Sequence, residues 1–284
     1  MSSAPAPAWA SCSATSRRCP PPRGSPGSST FSARSWLCSR ATRSAAARTC
    51  AGNRSAPAST CGRATMSRPE VVAIGDVHGC ASLLEQELAP HLDSGAELIF
   101  LGDLIDRAPE ADGDRRVLER VWQLQENPAA YGLAAVTVLR GNHEQMLLKA
   151  MAPRAPDEDV ELWLCNGANP DLLPLARERQ TWFEQLPYTA VRGRYLFVHA
   201  GVRPDIRLEH QATDDLIWIR KPFLSRPHGL PYTVVHGHTF RHDFKVTRLP
   251  HRIGIDTGAY LSGTLTALKL RIPSPHSHSM EISV

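Results

Sequence analysis

The first 65 residues contain no aspartate, glutamate or lysine. They instead hold nine arginines among many serines, prolines and alanines, and their apolar residues follow no regular spacing. Because such a segment buries little apolar surface and its like charges repel, we expect residues 1–65 to be disordered. An arginine-rich, acid-free composition is also typical of an organellar transit peptide, but an amphipathic period is missing. We favour the interpretation that Met66 is the true start and that residues 1–65 are a leader that is not native.

A net positive charge is missing once this leader is set aside. The whole chain has a formal charge of +4, and the leader contributes all of it and more, so residues 66–284 carry −5. The net positive charge of the chain therefore comes from the leader alone. It gives no reason to expect that the folded part binds nucleic acid.

Cysteine is also scarce in residues 66–284, which hold only Cys80 and Cys165. The other five cysteines lie in the leader, at spacings that match neither a zinc module nor a disulfide framework. No apolar run is long enough to cross a bilayer, and no secretory signal is present. We therefore expect a reduced, cytoplasmic, monomeric protein without a membrane partner, in which residues 66–284 form one large domain.

Strands and helices alternate in the first half of this domain. The predicted strands are 70–74, 97–102 and 134–141, and the predicted helices are 82–92, 115–125 and 144–151. Such alternation predicts an α/β fold with parallel strands and helices packed on the sheet. Ligands bind beyond the carboxyl ends of the strands in sheets of this kind.

The second half has strand-like runs with few helices between them. These runs are 194–201, 232–238, 251–258 and 264–272. We expect them to form a second sheet, mixed or antiparallel, that packs on the first.

Polar side chains follow five of the predicted strands. "AIGDVHGC" at 73–80 directs Asp76 and His78 to the same side of an extended segment, beside glycines that allow a close approach. The other four strand ends, "GDLIDRAP", "RGNHE", "VHAG" and "VHGHT", supply Asp103, Asp106, Arg107, Arg140, Asn142, His143, His199, His236 and His238. So many polar groups at one sheet edge need partners, and two divalent metal ions would provide them. Mixed carboxylate, amide and imidazole ligands suit Mn, Fe or Zn, whereas Ca prefers oxygen alone.

The ordered motifs G-D-x-H-G, G-D-x-x-D-R, R-G-N-H-E, V-H-A-G and G-H-T resemble the phosphoprotein phosphatase family of the calcineurin-like metallophosphoesterases. They are most similar to the small bacterial and bacteriophage-type serine/threonine protein phosphatases, as are "WLCNGAN" at 163–169, "LIWIR" at 216–220 and "IDTGA" at 255–259. The resemblance spans about residues 70–270. It implies a four-layer sandwich in which two mixed β-sheets are flanked by helices, with a dimetal site at the carboxyl ends of the strands.

The resemblance also implies a role for each motif residue. The implied metal ligands are Asp76 and His78 on one ion, Asn142, His199 and His238 on the other, and Asp103 between the two. His143 would be the proton donor, oriented by Asp106. The residues implied to bind phosphate oxygens are Arg107, Arg140 and Arg220.

We therefore predict a dimetal-dependent phosphomonoesterase in which a hydroxide shared by the metals attacks phosphorus directly. The expected substrates are phosphoserine and phosphothreonine of proteins or peptides, with phosphotyrosine as a further candidate, and Mn is the expected metal, with Fe and Zn as alternatives. The nearest rival is a dinucleoside tetraphosphate hydrolase, and a non-catalytic metal-bound scaffold is a rival of another class. We expect residues 151–172, acidic at "PDEDVELW", to form a lid that accepts basic phosphopeptides.

Several residues have a structural alternative or depart from the family pattern. Arg140 could pair with Glu144, Asp256 could fix a turn, and His236 and Cys165 are more often structural at such positions. Ala108 and Ala168 stand where relatives have glycine, so loop strain is expected if those glycines have positive φ. Phe240 replaces the last histidine of the broader G-H-x-H signature, in agreement with the phosphatase branch.

Overall fold

Two β-sheets make up the centre of the protein. The computed structural model describes residues 70–272, all of which belong to one compact unit. The predicted leader, residues 1–65, lies outside the described residues. The strands of the described part are β1 (Glu70–Ile74), β2 (Glu97–Phe100), β3 (Ala135–Val138), β4 (Thr189–Arg192), β5 (Tyr195–Val198), β6 (Thr233–His236), β7 (Thr247–Leu249), β8 (Arg252–Gly254) and β9 (Ala267–Arg271).

The first sheet has the strand order β3-β2-β1-β9. β1, β2 and β3 are parallel, as the alternation of strands and helices predicts. The expectation that the run 264–272 joins the second sheet is wrong, because β9 pairs antiparallel with β1. Burial alternates along β9, with Leu268 and Leu270 inside and Lys269 outside. This alternation predicts a strand, but it does not predict the strand with which β9 pairs.

The second sheet has the order β4-β5-β6-β8-β7 and is mixed. β5, β6 and β8 are parallel, and the edge strands β4 and β7 are antiparallel to their neighbours. Neither edge strand was predicted. Both are short and partly exposed, so they lack the apolar run on which a prediction depends.

The helices of the described part are α1 (Ala81–Leu88), α2 (Gly113–Glu126), α3 (Asn142–Ala150), α4 (Asp157–Cys165), α5 (Leu173–Glu178), α6 (Gln180–Gln185), α7 (Thr213–Trp218) and α8 (Ala259–Ser262). The predicted helices in the first half correspond to α1, α2 and α3. Helix α3 begins two residues earlier than predicted, so Asn142 and His143 stand in its first turn. None of the described helices has the length and apolarity needed to span a membrane.

The apolar side chains form three clusters that separate four layers. Val71 and Ala73 of β1 pack with Phe197, Val235 and Ile253 of the second sheet, so the two sheets face each other. The alternate residues of β1 pack with α1, α2 and α3 on the outer face of the first sheet. The outer face of the second sheet packs with α7. Because side chains alternate along a strand, β1 is apolar throughout, with one row for each neighbouring layer.

Candidate active site

The loops that follow β1, β2 and β3 are hydrogen-bonded to one another. The backbone amides of Val77 and His78 both donate to the carbonyl of Asp103, at 3.0 and 2.9 Å. Glu144, fully buried at the start of α3, accepts from the amides of Asp103 and Leu104 at 2.9 and 2.8 Å and from Gly141 at 2.9 Å. The carboxylate of Glu144 therefore ties the second and third strand ends together.

A cavity of about 140 Å³ opens where the strand ends meet. The predicted site residues that line it are Asp76, His78, Asp103, Arg107, Asn142, Arg220 and His238. The other lining residues are Asn166, Trp218, Phe240, Asp256 and Tyr260. His199 and His143 are fully buried and contact the lining residues Asn142 and Asp103, and Asp106, also fully buried, contacts His143.

One group of ligand atoms surrounds a single point between β3, β5 and β6. Asn142 Oδ1 lies 2.9 Å from both His199 Nε2 and His238 Nδ1, and His199 Nε2 lies 3.4 Å from Asp103 Oδ1. Such separations suit adjacent ligands of one ion, because metal–ligand bonds of about 2.0–2.2 Å place neighbouring donor atoms about 3 Å apart.

The protonation of His199 indicates that this group needs a cation. His199 Nδ1 lies 3.0 Å from the carbonyl of Leu101, so this nitrogen carries the proton and Nε2 presents a lone pair. Burial lowers the pKa of His199, which keeps the ring neutral. The lone pair of Nε2 then faces the carbonyl oxygen of Asn142, and a metal ion between the two acceptors would satisfy both.

A second group of ligand atoms lies between the ends of β1 and β2. His78 Nδ1 lies 2.9 Å from the carbonyl of Ile105, which leaves Nε2 free to bind an ion, and Nε2 lies 3.7 Å from Asp103 Oδ2. Asp76 Oδ1 is buried and has no hydrogen-bond partner, while its Oδ2 accepts from the amide of His238 at 2.9 Å. These donors fit a metal ion. Arg107 NH1 stands 3.0 Å from His78 Nε2 and would compete with an ion for the same lone pair.

Asp103 belongs to both groups, as expected of a bridging ligand. The clusters that could hold an ion are His78–Asp103–His143 and Asp103–His199–His238. Burial opposes ionisation of Asp103, but the surrounding histidines, His199 foremost, hold its pKa well below the usual range. Burial together with the charges of Asp256 and Asp103 raises the pKa of Asp76. A cation in the cavity would favour the ionised form of both carboxylates.

His143 is paired with Asp106, as predicted. Its Nδ1 lies 2.7 Å from Asp106 Oδ2, and its Nε2 is buried, has no hydrogen-bond partner and lies 3.9 Å from Asp103 Oδ2. This Nε2 is close enough to His78 and Asp103 to act either as a proton donor at the cavity floor or as a further ligand.

The three predicted phosphate-binding arginines do not come together. Arg107 and Arg220 line the cavity, and the Arg107 guanidinium lies 5.2 Å from the centre of the Tyr260 ring. Arg140 does not line it. Its NH1 donates to Gln145 and Tyr188, each at 3.0 Å, and its NH2 donates to the carbonyls of Phe183 and Glu184. These bonds favour a structural role for Arg140, although its partners are not the carboxylates expected from the sequence.

Asp256 and Tyr260 also line the cavity. From the sequence, Asp256 could be either a catalytic carboxylate or a residue that fixes a turn, and nothing pointed to Tyr260. Asp256 is buried, and burial raises its pKa to about 6. The ring of Tyr260 lies 5.0 Å from that of His78, edge to face. The "IDTGA" segment at 255–259, which resembles a late motif of the family, was a signal for Asp256, and Tyr260 directly follows it. Asp256 also accepts from the amide of Gly258 at 2.8 Å, which agrees with the expected turn.

The structure also bears on the two alanines at glycine positions, on His236 and on Cys165. Neither Ala108 nor Ala168 has a positive φ, so replacement of glycine causes no backbone strain there. His236 Nδ1 lies 3.0 Å from the carbonyl of Gly237 and its Nε2 lies 3.3 Å from Arg252 NH1, which supports the structural interpretation. Cys165 is exposed, and the buried cysteine is Cys80.

The sequence model of the calcineurin-like phosphoesterases matches residues 69–260, which include every strand end of the site. The chain therefore belongs to the calcineurin-like phosphoesterase family, and it is a hydrolase. Members of this family use dimetal sites, and the two groups of ligand atoms described above could bind metal ions. The predicted fold and family are both confirmed.

Relatives within the family carry two different activities in their names. Serine/threonine-protein phosphatase 1 of Salmonella typhimurium is 29% identical over 223 residues, which cover 71% of this chain and 92% of the relative. A bis(5'-nucleosyl)-tetraphosphatase PrpE of Geobacillus is 28% identical over 231 residues, covering 69% and 88%. The crystal structure of a cold-active protein-tyrosine phosphatase from Shewanella shares the fold, with a TM-score of 0.51 and 18% identity over 72% of this chain and 76% of that one.

Proposed function

We propose that the protein is a phosphomonoesterase that removes phosphate from phosphoserine and phosphothreonine in proteins. The observation that carries this proposal is the buried His143–Asp106 pair beside the metal-ligand groups, with Nε2 of His143 left unpartnered. A serine or threonine alkoxide is a strong base and departs only when it receives a proton. His143 would supply that proton.

Each of the two groups of ligand atoms at the cavity would bind one metal ion. The ligands of one ion would be Asp76, His78 and Asp103, and those of the other would be Asp103, Asn142, His199 and His238. When bound, two divalent ions would supply a nucleophile from water near neutral pH and balance charge on the phosphoryl oxygens. We propose Mn as the resident metal because three of the six ligands, Asp76, Asp103 and Asn142, offer oxygen atoms, which suit Mn better than they suit Fe or Zn.

The arginines and the histidine would act on the substrate itself. Arg107 and Arg220 line the cavity, and their guanidinium groups would bind phosphate oxygens and orient the ester. Asp106 would keep the proton of His143 on Nδ1 and stabilise the imidazolium, so that Nε2 delivers its proton to the leaving oxygen. Arg140 is left out of this set because both of its terminal guanidinium nitrogens already donate to protein groups and it does not line the cavity.

Hydrolysis of dinucleoside tetraphosphates is a second candidate, since relatives of similar identity carry that name. A nucleotide leaving group is a phosphate, which is a weak base and needs no proton to depart. The His143–Asp106 pair therefore supports the phosphomonoester more strongly than the anhydride. Asp256 and the aromatic residues Trp218, Phe240 and Tyr260 would contact whatever group adjoins the phosphate.

The test combines metal removal with a substrate panel. The purified chain is stripped with a chelator, reloaded with Mn, Fe or Zn, and assayed on phosphoserine, phosphothreonine and phosphotyrosine peptides, diadenosine tetraphosphate and p-nitrophenyl phosphate. We expect activity only after metal is restored, highest with Mn, and a kcat/KM at least tenfold higher for phosphoserine peptides than for the dinucleotide. Full activity after exhaustive chelation would refute the dimetal reaction. A higher kcat/KM for the dinucleotide would assign the second candidate.

A further inference from the structure

The carboxylate of Asp106 is held by two donors besides His143. Trp163 Nε1 donates to Asp106 Oδ2 at 2.9 Å, and the backbone amide of Asn169 donates to Asp106 Oδ1 at 3.3 Å. The Trp163 side chain is buried, with 2% of its surface exposed. Both oxygens of Asp106 therefore have a protein donor that is independent of the imidazole.

Asn169 is itself anchored. Its Nδ2 donates to Asp114 Oδ2 at 2.9 Å, and its Oδ1 accepts from the amide of Asp171 at 3.2 Å. Asp114 is fully buried in the first turn of α2. A continuous set of hydrogen bonds thus runs from α2 through Asn169 and Asp106 to His143, with Trp163 joining from α4.

We propose that Trp163 and Asn169 are positioning residues that hold Asp106, and through it His143, in the orientation that protonates the leaving group. This inference rests on the proposed function. Without its two extra donors, the Asp106 carboxylate can rotate about its side-chain bonds and accept a bond from solvent or from another group. The imidazole of His143 then loses its fixed hydrogen-bond partner at Nδ1, so the orientation of the ring and the position of Nε2 are no longer fixed.

The consequence depends on the leaving group. A serine alkoxide needs the proton of His143, whereas p-nitrophenolate is a much weaker base and departs without it. A change that disturbs only the proton donor therefore lowers turnover of a phosphoserine peptide more than turnover of p-nitrophenyl phosphate. A change that disturbs the fold or the metals lowers both.

The experiment compares Trp163→Phe with the wild-type full chain, both loaded with Mn. Phenylalanine keeps an aromatic ring in the site and removes the N–H donor. We expect kcat for a phosphoserine peptide to fall about tenfold, a part of the 10²- to 10⁴-fold that general acid catalysis typically supplies, with kcat for p-nitrophenyl phosphate within threefold of wild type. The KM of the peptide should be unchanged, because Trp163 does not line the cavity.

Trp182→Phe is the matched control. Trp182 Nε1 donates to Gln125 at 2.8 Å, away from the cavity, so its loss removes an equivalent bond without touching Asp106. Asn169→Ala is a second test of the proposal, because it keeps the backbone amide that donates to Asp106 but removes the side-chain bonds to Asp114 and Asp171 that hold this amide in place. Asn127→Ala is its control, because the Asn127 side chain also accepts from a nearby backbone amide, that of Ala130. Metal content and Tm are measured for all four variants, and Asn169→Ala carries the comparison if Trp163→Phe does not fold.

The outcomes separate this inference from the proposed function. An equal loss on both substrates, or none, with metal content intact would overturn the positioning role. A wild-type enzyme that does not hydrolyse the phosphoserine peptide would instead refute the proposed function. A selective loss on the peptide in both site variants, and in neither control, is the result we expect.

Discussion

Residues at the site adopt a backbone conformation that most side chains avoid. The site residues with positive φ are His78, Asp103, Asp106, Arg107 and His238, at 45, 51, 68, 62 and 64°. Each such residue other than glycine costs on the order of 1–3 kcal/mol, and proteins retain them where the surrounding structure requires them. Here the left-handed turns redirect the chain just beyond the strand ends, so that consecutive motif residues face the same cavity.

His143 can be tested as a proton donor by substitution with asparagine. His143→Asn keeps a polar side chain but removes the acid, so we expect kcat for a phosphoserine peptide to fall about 100-fold or more. The metal content, measured by elemental analysis, should stay at two ions per chain. Loss of one ion together with activity would show that His143 is a ligand, the role that its proximity to His78 and Asp103 also permits.

Asp114 should make stability depend on pH. Burial raises its pKa to about 6 in the folded protein, compared with about 3.9 in an unfolded chain. The folded state then keeps a proton that the unfolded chain has lost, so the free energy of unfolding falls as pH rises from about 4 to 6 and is level above that. Asp114→Asn should remove this decline, which is on the order of 3 kcal/mol at most.

Urea unfolding of the metal-free protein between pH 4 and pH 7 measures this effect. The exposed Asp112 provides a control, since Asp112→Asn changes the same chemical group on the surface. Parallel pH profiles for the wild type and Asp114→Asn would contradict the prediction.

At the scale of elements, the approach of α3 to the end of β2 brings the ligands together. A Cβ at Gly141 would collide with Asp103 Oδ1 and come within 2.5 Å of the Asp103 amide nitrogen. Glycine is required here for space and not for its conformation, since its φ of −93° is ordinary. Gly237 plays the same part beside Asp76, where a Cβ would collide with Oδ1.

Gly141→Ala should therefore displace the carboxylate of Asp103, the proposed bridging ligand. We expect metal affinity to fall about 10- to 100-fold, as for other residues that orient ligands, with a matching loss of activity at limiting metal. Gly95→Ala is the control, because Gly95 has a positive φ of 71° but open space around it. This substitution should lower the free energy of unfolding by about 1 kcal/mol and leave metal affinity unchanged. Metal titration followed by calorimetry gives both affinities, and an unchanged affinity in Gly141→Ala would be inconsistent with this geometry.

Helix α4 and the residues after it make contacts that the acidic composition of this segment does not suggest. The segment 151–172 was predicted as an acidic lid, but within it only Asn166 lines the cavity. Trp163 and Asn169 face inward to Asp106, and Asp159 forms an ion pair with Lys149 at 3.6 Å. The acidic composition was visible in the sequence, whereas the inward contacts of Trp163 and Asn169 depend on Asp106, which lies 57 and 63 positions away.

For the whole molecule, the described part needs no additional strand beside β1. β1 lies between β2 and β9, so both of its edges are already hydrogen-bonded. A chain that begins at Met66 should therefore keep the specific activity and Tm of the full chain. Side-by-side assays and thermal unfolding of the two chains measure this, and a clear loss of either property in the shorter chain would assign the leader a role in the fold.

The sequence by itself determined the chemistry available at the strand ends. The residue types of the five motifs specify carboxylate, amide, imidazole and guanidinium groups, and the apolar runs before them predict β1, β2, β3, β5 and β6. These features are local, because a strand and the residue that follows it are encoded by neighbours in the chain.

Only the tertiary structure decided which of these groups meet. It turned Arg140 toward Phe183, Glu184 and Tyr188, brought Asp256 and Tyr260 into the cavity, and paired β9 with β1. Each of these outcomes depends on contacts between residues more than 40 positions apart, where packing and hydrogen-bond partners compete. No local period encodes the result of that competition, so it becomes visible only when the chain is folded.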